Sequence, residues 1–271
     1  MAVFSCLKVT VDDGVAHFQL NRPDKANALN GELWREIGQA CEWADQTPEV
    51  RVVMLSGAGQ YFCSGIDFEL VGAILDEVSG LGAGHKEERM RQIILDLQAS
   101  FNAIENCRKP VLAAIHGLCL GGGLDLVVAC DLRYASAETR FALKEVDLGI
   151  IADVGSLQRL PHLIGEGQVR ELAFTGREFT AAEAFQLGVV NRVFDTPEQL
   201  WTGVAEIART IAAKSPLTVR GIKQVMNYSR DHSVASGLNF VATWNAAMLL
   251  SEDTQEAITA VMQKRRPQYK N

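Results

Sequence analysis

Short apolar runs rich in β-branched residues constrain the fold of this 271-residue chain more than any other feature. The segments "VRVVMLSG", "KPVLAAIHG", "CDLRYASA" and "GVVNRVF" each have the length and composition of a buried strand. Two more strands, "CLKVTV" and "VAHFQL", flank the turn signal "DDG" near the start of the chain. Helical periodicity appears between the strands, most clearly over His85–Cys107. This alternation predicts an α/β fold with short strands and repeated β-β-α units.

The pattern changes near Asp195. Beyond it, "PEQLWTGVAEIARTIAAKSP", "LTVRGIKQVMNYSR" and "TQEAITAVMQKRR" are amphipathic helix patterns without strands. We therefore expect a core region of residues 1–195 followed by a helical region of residues 196–271. The stretch Ser79–Glu88, "SGLGAGHKEE", is predicted to be a mobile loop inside the core region.

A local capping signal predicts one short helix in detail. Thr180 has the residue type of an N-cap, and Glu183 follows three positions later, as in a capping box. Gly188 is placed to end the same helix.

The composition excludes several kinds of partner. The net charge of −7 disfavours a general binder of nucleic acid or of an anionic membrane, because both need a basic surface. An anionic small molecule needs only a few local cations and is not excluded. The six cysteines form no CxxC pair, which favours buried reduced thiols over disulfides. The five histidines form no HxH or HxxxH pair, so we expect no metal site.

The ends of the sequence carry no recognisable address. "MAVFSCLKVTVDD" has neither the pattern of a signal peptide nor that of a transit peptide, and "RPQYKN" is not a peroxisomal signal. No apolar run reaches the roughly 18 residues that a membrane span requires. We therefore expect a cytoplasmic protein.

Three of the carboxylates in the largely apolar stretch "GGGLDLVVACDLRYASAETRFALKEVDLGIIADVG" are candidates for chemistry: Asp125, Glu145 and Asp153. Isolated acids in apolar surroundings are costly to ionise unless they are paired or hydrogen-bonded. Each acid also has a purely structural explanation. Asp125 suits the first turn of a helix, Glu145 suits a solvated edge beside Lys144, and Asp153 suits the N-cap of a following helix.

Two glycine-containing segments offer backbone donors. Gly65 allows a tight turn in "FCSGIDFEL", and in "HGLCLGGGLDLVVAC" a helix is expected to begin near Gly122. A helix N-terminus leaves N–H groups unpaired and suits a developing oxyanion, although close packing of strand on helix explains the glycines equally well. Together, such donors and several carboxylates are what proton abstraction next to a carbonyl requires.

At this point the sequence resembles the crotonase, or enoyl-CoA hydratase/isomerase, superfamily. The resemblance rests on the ordered fragments "NRPDKANALN", "FCSGID", "KPVLAAIHGLCLGGGLDLVVACDLRYA", "RLPHLIG" and "TAAEAFQLGVVNRVF". It implies a spiral of β-β-α units that binds acyl-CoA thioesters in residues 1–195. It also implies a homo-oligomer, either a trimer or a dimer of trimers, with residues 196–271 serving oligomerisation and covering the active site. The implied oxyanion donors are the N–H groups of Ile66 and Gly122.

The carboxylates indicate the reaction within this superfamily. Hydratases have glutamates at the positions of Asp125 and Glu145 and no acid at that of Asp153, whereas all three acids here resemble the Δ3,5-Δ2,4-dienoyl-CoA isomerases. That resemblance implies Asp153 as base at C2 and Glu145 as acid at C6, with the exchange of these two roles left open. Asp125 would tune or orient Glu145.

Further assignments follow from the same resemblance. Lys25 and Ala26, after "NRPD", lie where relatives contact CoA, and Ser64 and Gly65 are assigned to the same site. No metal or redox cofactor is expected, because the electrons shift only within the substrate. A hydratase, another CoA lyase or hydrolase, and a non-catalytic scaffold of the same fold remain the alternatives.

Overall fold

A computed structural model describes residues 4–270 of the chain. Within that range the strands are short, and most coincide with the apolar runs of the sequence. In chain order they are β1 (Leu7–Asp12), β2 (Val15–Leu20), β3 (Val52–Gly57), β4 (Val111–Ile115), β5 (Leu118–Leu120), β6 (Leu132–Ser136), β7 (Arg140–Ala142), β8 (Phe179–Thr180) and β9 (Arg192–Phe194).

The strands form two sheets. The larger sheet has the order β1-β2-β3-β4-β6-β9, in which β1 and β2 pair antiparallel and every later neighbour pairs parallel. The smaller sheet has the order β5-β7-β8. The chain leaves the large sheet after β4, adds β5 to the small one and returns at β6. The α/β spiral of short strands predicted from the sequence is confirmed.

Helices fill the connections and the last third of the chain. They are α1 (Gly31–Gln46), α2 (Phe68–Ser79), α3 (His85–Asn106), α4 (Gly122–Val128), α5 (Ser156–Arg159), α6 (Glu166–Thr175), α7 (Ala181–Leu187), α8 (Pro197–Ala212), α9 (Pro216–Arg230), α10 (Val234–Met248) and α11 (Glu252–Met262). Short 3₁₀ helices cover Pro23–Lys25, Glu145–Leu148 and Leu160–His162. The capping prediction for α7 is confirmed, because the Thr180 hydroxyl accepts the Glu183 N–H at 3.1 Å.

The two faces of the large sheet bury different helices. Alternate residues of a strand point to opposite faces, and Val53 and Leu55 of β3 join the main core together with Leu33 of α1. Val52 and Met54, which face the other way, belong to a second core that α8 covers. That second core also contains Leu112, Tyr134, Phe194, Leu200 and Val204. The first helix of the region 196–271 therefore completes the core of the preceding strands.

Half of the stretch predicted as a mobile loop is helical. Helix α2 runs to Ser79 and α3 begins at His85, so that only residues 80–84 connect the two helices. The Glu87 carboxylate accepts the N–H of Gly84 and caps α3, which explains how a glycine-rich segment can lead directly into a helix. The prediction is therefore wrong for residues 85–88.

The cysteines and the other possible metal ligands form neither disulfides nor a metal site in the described residues. All six cysteines are buried free thiols, which pack as small apolar side chains. Across residues 4–270, no group of histidine, cysteine and acidic side chains is arranged to hold a metal ion. No helix in the same part of the chain combines the length and the apolar character needed to cross a bilayer.

Candidate active site

A cavity of about 580 Å³ lies between the N-terminus of α4, the turn before α2 and the 3₁₀ helix that begins at Glu145. Most of the site residues predicted from the sequence line it, although they are spread over some 130 positions of the chain. These are Lys25, Ser64, Gly65, Ile66, Gly122, Asp125, Glu145 and Asp153. Ala26 does not belong to the lining. It ends the 3₁₀ turn with a φ of 48°, and its carbonyl accepts the Ser64 N–H at 3.0 Å.

The turn before α2 presents the Ile66 amide. Gly65 has a φ of +99°, which only glycine adopts readily. The Leu29 N–H donates to the Gly65 carbonyl at 2.8 Å, and the Asp67 N–H donates to the Leu29 carbonyl at 3.1 Å. These two bonds hold the residues on either side of Ile66. Within the described chain, the Ile66 N–H itself has no backbone acceptor.

The second amide comes from the start of α4. The Gly121 N–H donates to the Ala142 carbonyl at 2.9 Å, which fixes the chain just before the helix. Gly122 is the first residue of α4, so its N–H has no acceptor within the helix. A methyl group added at Gly65 would lie 3.7 Å from the Gly122 nitrogen, so the two segments approach closely. Two unpaired amides at one end of a cavity form a suitable pair of donors for an oxyanion.

A buried ion pair supports the same turn. Arg22 and Asp67 pair at 2.9 Å between Nη2 and Oδ2, with side chains 14% and 8% exposed. The other Asp67 oxygen caps α2 by accepting the Glu69 N–H at 3.0 Å. Asp67, which directly follows Ile66, is thereby bound both to the start of α2 and to Arg22. Sequence reasoning missed this support, since "NRPD" was read only as a polar loop near CoA.

Asp125 lies at the inner end of the cavity and is completely buried. It occupies the first turn of α4, where its own N–H donates to the Gly121 carbonyl at 3.1 Å. Its Oδ1 accepts the backbone N–H of Ser156 at 2.6 Å. Burial raises the pKa of Asp125 to about 6, and the hydrogen bonds from Ser156 oppose that rise. Its Oδ2 is buried and has no donor within residues 4–270.

Glu145 adjoins Asp125 and is half-buried. It begins the 3₁₀ helix that follows β7, and its Oε1 approaches the backbone of Gly121. Burial raises the pKa of Glu145 to about 7, and the neighbouring charge of Asp125 adds to the rise. Glu145 Oε2 is buried without a donor in the described chain, like Asp125 Oδ2. A single proton shared between Asp125 Oδ2 and Glu145 Oε2 would give both oxygens a hydrogen-bond partner.

Asp153 lines the cavity from the loop before α5. Gln98 of α3 donates its side-chain amide to the Asp153 carbonyl at 2.6 Å and fixes the backbone there. Asp153 also borders a neighbouring polar cavity of about 330 Å³ and keeps contact with solvent. Partial burial raises its pKa above the usual value. Its carboxyl thus stands in a wetter environment than the pair formed by Asp125 and Glu145.

An apolar cavity of about 490 Å³ continues beyond Glu145. Glu145 and Ile150 line both cavities, so they form the boundary between them. Apolar side chains from residues 143–157 and from α6 line most of the second cavity: Leu143, Val146, Ile151, Ala152, Leu157, Val169, Ala173 and Phe174. No local motif in the sequence marks this region.

Two further polar residues, His116 and Arg159, do not line the cavity of about 580 Å³. His116 is buried, donates from Nε2 to the Gly59 carbonyl at 3.0 Å, and meets the Trp201 ring edge-on. It is therefore a hydrogen-bonded core histidine. Arg159 pairs with Glu105 at 2.7 Å and borders the polar cavity beside Asp153.

Comparisons with known proteins agree with this architecture. The sequence profile described as enoyl-CoA hydratase/isomerase matches residues 10–271. The chain is 48% identical over 264 residues to the peroxisomal Delta(3,5)-Delta(2,4)-dienoyl-CoA isomerase of Arabidopsis thaliana, covering 97% of this chain and 95% of that protein. It is 43% identical to the mitochondrial Delta(3,5)-Delta(2,4)-dienoyl-CoA isomerase of Homo sapiens, covering 97% and 80%.

A solved structure gives the same result for the fold. The crystal structure of enoyl-CoA hydratase from Bacillus anthracis superposes with a TM-score of 0.87 at 33% identity, covering 98% of this chain and 99% of that one. The same fold therefore occurs in proteins named for hydration and in proteins named for isomerisation. The reaction has to be argued from the carboxylates in the cavity.

Proposed function

Because this chain belongs to the enoyl-CoA hydratase/isomerase family, we propose that it is a Δ3,5-Δ2,4-dienoyl-CoA isomerase. The arrangement that carries the proposal is one cavity with two free amides at one end and three carboxyl groups around it. Relatives that bear this name, among them two at 48% and 43% identity, support the same reaction. Its place would be the oxidation of unsaturated fatty acids.

The substrate carbonyl is bound by the amides. A thioester oxygen placed between the Ile66 and Gly122 N–H groups gains negative charge as the dienolate forms, and the two donors stabilise it. Removing one donor of such a pair typically costs about 2.7–4 kcal/mol of transition-state stabilisation. The CoA portion then extends past Ser64 and Gly65 toward Lys25, at the open side of the cavity.

Two protons move at opposite ends of the diene. Asp153 takes a proton from C2, the electrons shift along the conjugated chain, and Glu145 gives a proton to C6. The geometry favours this assignment over its reverse. Glu145 shares its proton with a buried neighbour and has a pKa raised to about 7, as an acid requires, whereas Asp153 faces water and ionises more readily.

The carbons beyond C6 would continue past Glu145. The apolar cavity behind that residue has space for an aliphatic tail, which gains roughly 0.8 kcal/mol for each methylene it buries. The reaction needs neither a metal nor a redox cofactor, since the double bonds only change position. CoA is part of the substrate.

The assembly and the compartment are also part of the proposal. The C-terminal helices and their connections expose large apolar side chains, including Val234 at 79% and Leu250 at 84%. A homo-oligomer, a trimer or a dimer of trimers, would bury such a surface. A cytoplasmic location is proposed from the sequence alone.

The test is an ultraviolet assay of the purified protein. Isomerisation conjugates the diene with the thioester carbonyl, so a 3,5-dienoyl-CoA gains a long-wavelength absorption band. Crotonyl-CoA serves as the parallel substrate, because its hydration removes absorbance. Growth of the band with little loss of crotonyl-CoA supports the proposal. Consumption of crotonyl-CoA alone would make the protein a hydratase.

A further inference from the structure

Ser156 contacts Asp125 on the side away from the substrate. It is the first residue of α5, it is completely buried, and it follows Gly155, whose φ of +136° turns the chain toward α4. Its backbone N–H donates to Asp125 Oδ1 at 2.6 Å. Its hydroxyl is also buried and has no hydrogen-bond partner of good geometry in residues 4–270.

That hydroxyl has one chemically sensible acceptor. It belongs to the residue whose N–H binds Asp125 Oδ1 at 2.6 Å, so it lies beside that carboxyl and lowers its pKa, although it forms no hydrogen bond of good geometry there. Hydrogen bonds to the charged form of an acid favour ionisation, and a small rotation of the hydroxyl costs little. One residue thus offers two donors to Asp125. Glu145 Oε2 has no donor in the described residues, and burial and the neighbouring charge of Asp125 raise the pKa of Glu145.

We infer that Ser156 is a positioning residue that keeps Asp125 ionised and so places the shared proton on Glu145. The inference rests on the proposed function only for the step in which Glu145 gives that proton to C6. In the reaction, the O–H bond of Glu145 breaks as the C6–H bond forms, and the dienolate electrons make the new double bond. Glu145 is then an anion beside the Asp125 anion, and it regains a proton from water.

Other charges surround the pair and affect both carboxyls. On the Asp125 side these are Asp153 and Arg159, and the thiol of Cys119 lies behind α4. The remaining charged groups are Lys25, Asp67, Glu69, Lys144 and Asp147 around the main cavity and Glu166 and Arg170 on α6. Ser156 differs from these charged groups because its backbone N–H donates a hydrogen bond directly to Asp125, while within residues 4–270 it donates none to Glu145.

The test compares Ser156→Ala with Ser156→Thr, which retains the hydroxyl. Alanine leaves the backbone bond and removes the second donor, so more of the shared proton moves to Asp125. The maximal kcat for the 3,5-dienoyl-CoA is expected to fall roughly tenfold. The Asp125–Glu145 pair then holds its last proton more tightly. The decline of kcat on the alkaline side of its pH profile (the alkaline limb) therefore moves to higher pH. Ser156→Thr should have the wild-type kcat and the wild-type position of the alkaline limb.

Ser136→Ala is the matched control. Ser136 is also completely buried and hydrogen-bonded, but it lies in β6, away from the cavity. Ser136→Ala is expected to lower the melting temperature of the protein without moving the alkaline limb of the kcat profile. A fall in kcat for Ser156→Ala without a shift of the limb, or failure of threonine to restore it, would overturn the inference.

A second measurement does not depend on turnover. Infrared titration of the ligand-free protein, with carboxyl carbons labelled in either glutamate or aspartate, shows which residue type carries the proton near neutral pH. We expect a protonated glutamate in the wild type and a protonated aspartate in Ser156→Ala. A protonated aspartate in the wild type would contradict the inference. If the infrared result holds and the wild type does not convert the 3,5-dienoyl-CoA, the proposed function fails and the role of Ser156 in the pair stands.

Discussion

Asp125 and Glu145 lie side by side at the inner end of the cavity, and each keeps one buried carboxyl oxygen without a donor. Two adjacent carboxylates cannot both be ionised there without strong repulsion, so one proton stays between them near neutral pH. The pair therefore holds one proton near neutral pH and can act as a general acid. Asp153, in contact with water on the other side, is left to act as the base.

The stored proton should make the free energy of unfolding depend on pH. The pKa of Glu145 is about 7 in the folded protein, against 4.5 when it is not perturbed. Between these values the folded state binds more protons than the unfolded state, so stability falls as pH rises through this window. The expected loss is about 1–3 kcal/mol by pH 8.

Glu145→Gln removes this loss because the amide stays neutral and can donate to Asp125. Its melting temperature should exceed that of the wild type by an amount that grows between pH 5 and pH 8. Glu206→Gln, at an exposed position of α8, is the control and should show no such trend. A difference that stays constant with pH would speak against the shared proton.

Gly65→Ala should damage the amide that binds the carbonyl. The backbone at Gly65 has a φ of +99°, and an added methyl would lie 3.0 Å from the Leu120 carbonyl oxygen. The turn must shift, which misaligns the Ile66 N–H. We expect kcat to fall by about 10²-fold and unfolding to become easier by about 1–3 kcal/mol.

Gly72→Ala is the comparison for that change. Gly72 lies within α2, and an added methyl meets no atom within 4 Å. This variant should be more stable by about 0.5–1 kcal/mol, because alanine is the better helix former, and its kcat should not change. Equal activity of Gly65→Ala and the wild type would show that Ile66 does not contact the substrate.

Ala173→Phe should narrow the apolar cavity beyond Glu145. Ala173 of α6 lines that cavity together with Val169 and Ile151. If the tail of the substrate occupies it, the larger side chain lowers kcat/KM for long dienoyl-CoA chains much more than for the six-carbon substrate. Ala213→Phe, at the exposed C-cap of α8, should leave the chain-length profile unchanged. An equal effect of Ala173→Phe on all chain lengths would place the tail elsewhere.

Local patterns predicted most of the fold and the core of the site. The strands are short apolar runs, α7 has the predicted N-cap Thr180 and ends before Gly188, and the acids Asp125, Glu145 and Asp153 stand in a largely apolar stretch. The features that were missed depend on contacts across the chain. Ser156 is an ordinary serine until α5 packs against α4, and Ile151 and Ala173 line one cavity only because the 3₁₀ segment meets α6.

The central claim is that Asp153 and Glu145 act on different carbons, and hydrogen exchange tests it most directly. The wild type, Asp153→Asn and Glu145→Gln are each incubated with a 3,5-dienoyl-CoA in D₂O, and deuterium at C2 and C6 is followed by NMR. Each variant should isomerise about 10²–10⁴-fold more slowly than the wild type. Glu145→Gln should still exchange the C2 hydrogen of the substrate, whereas Asp153→Asn should not. Exchange at C2 by Asp153→Asn but not by Glu145→Gln would reverse the two roles and contradict the account.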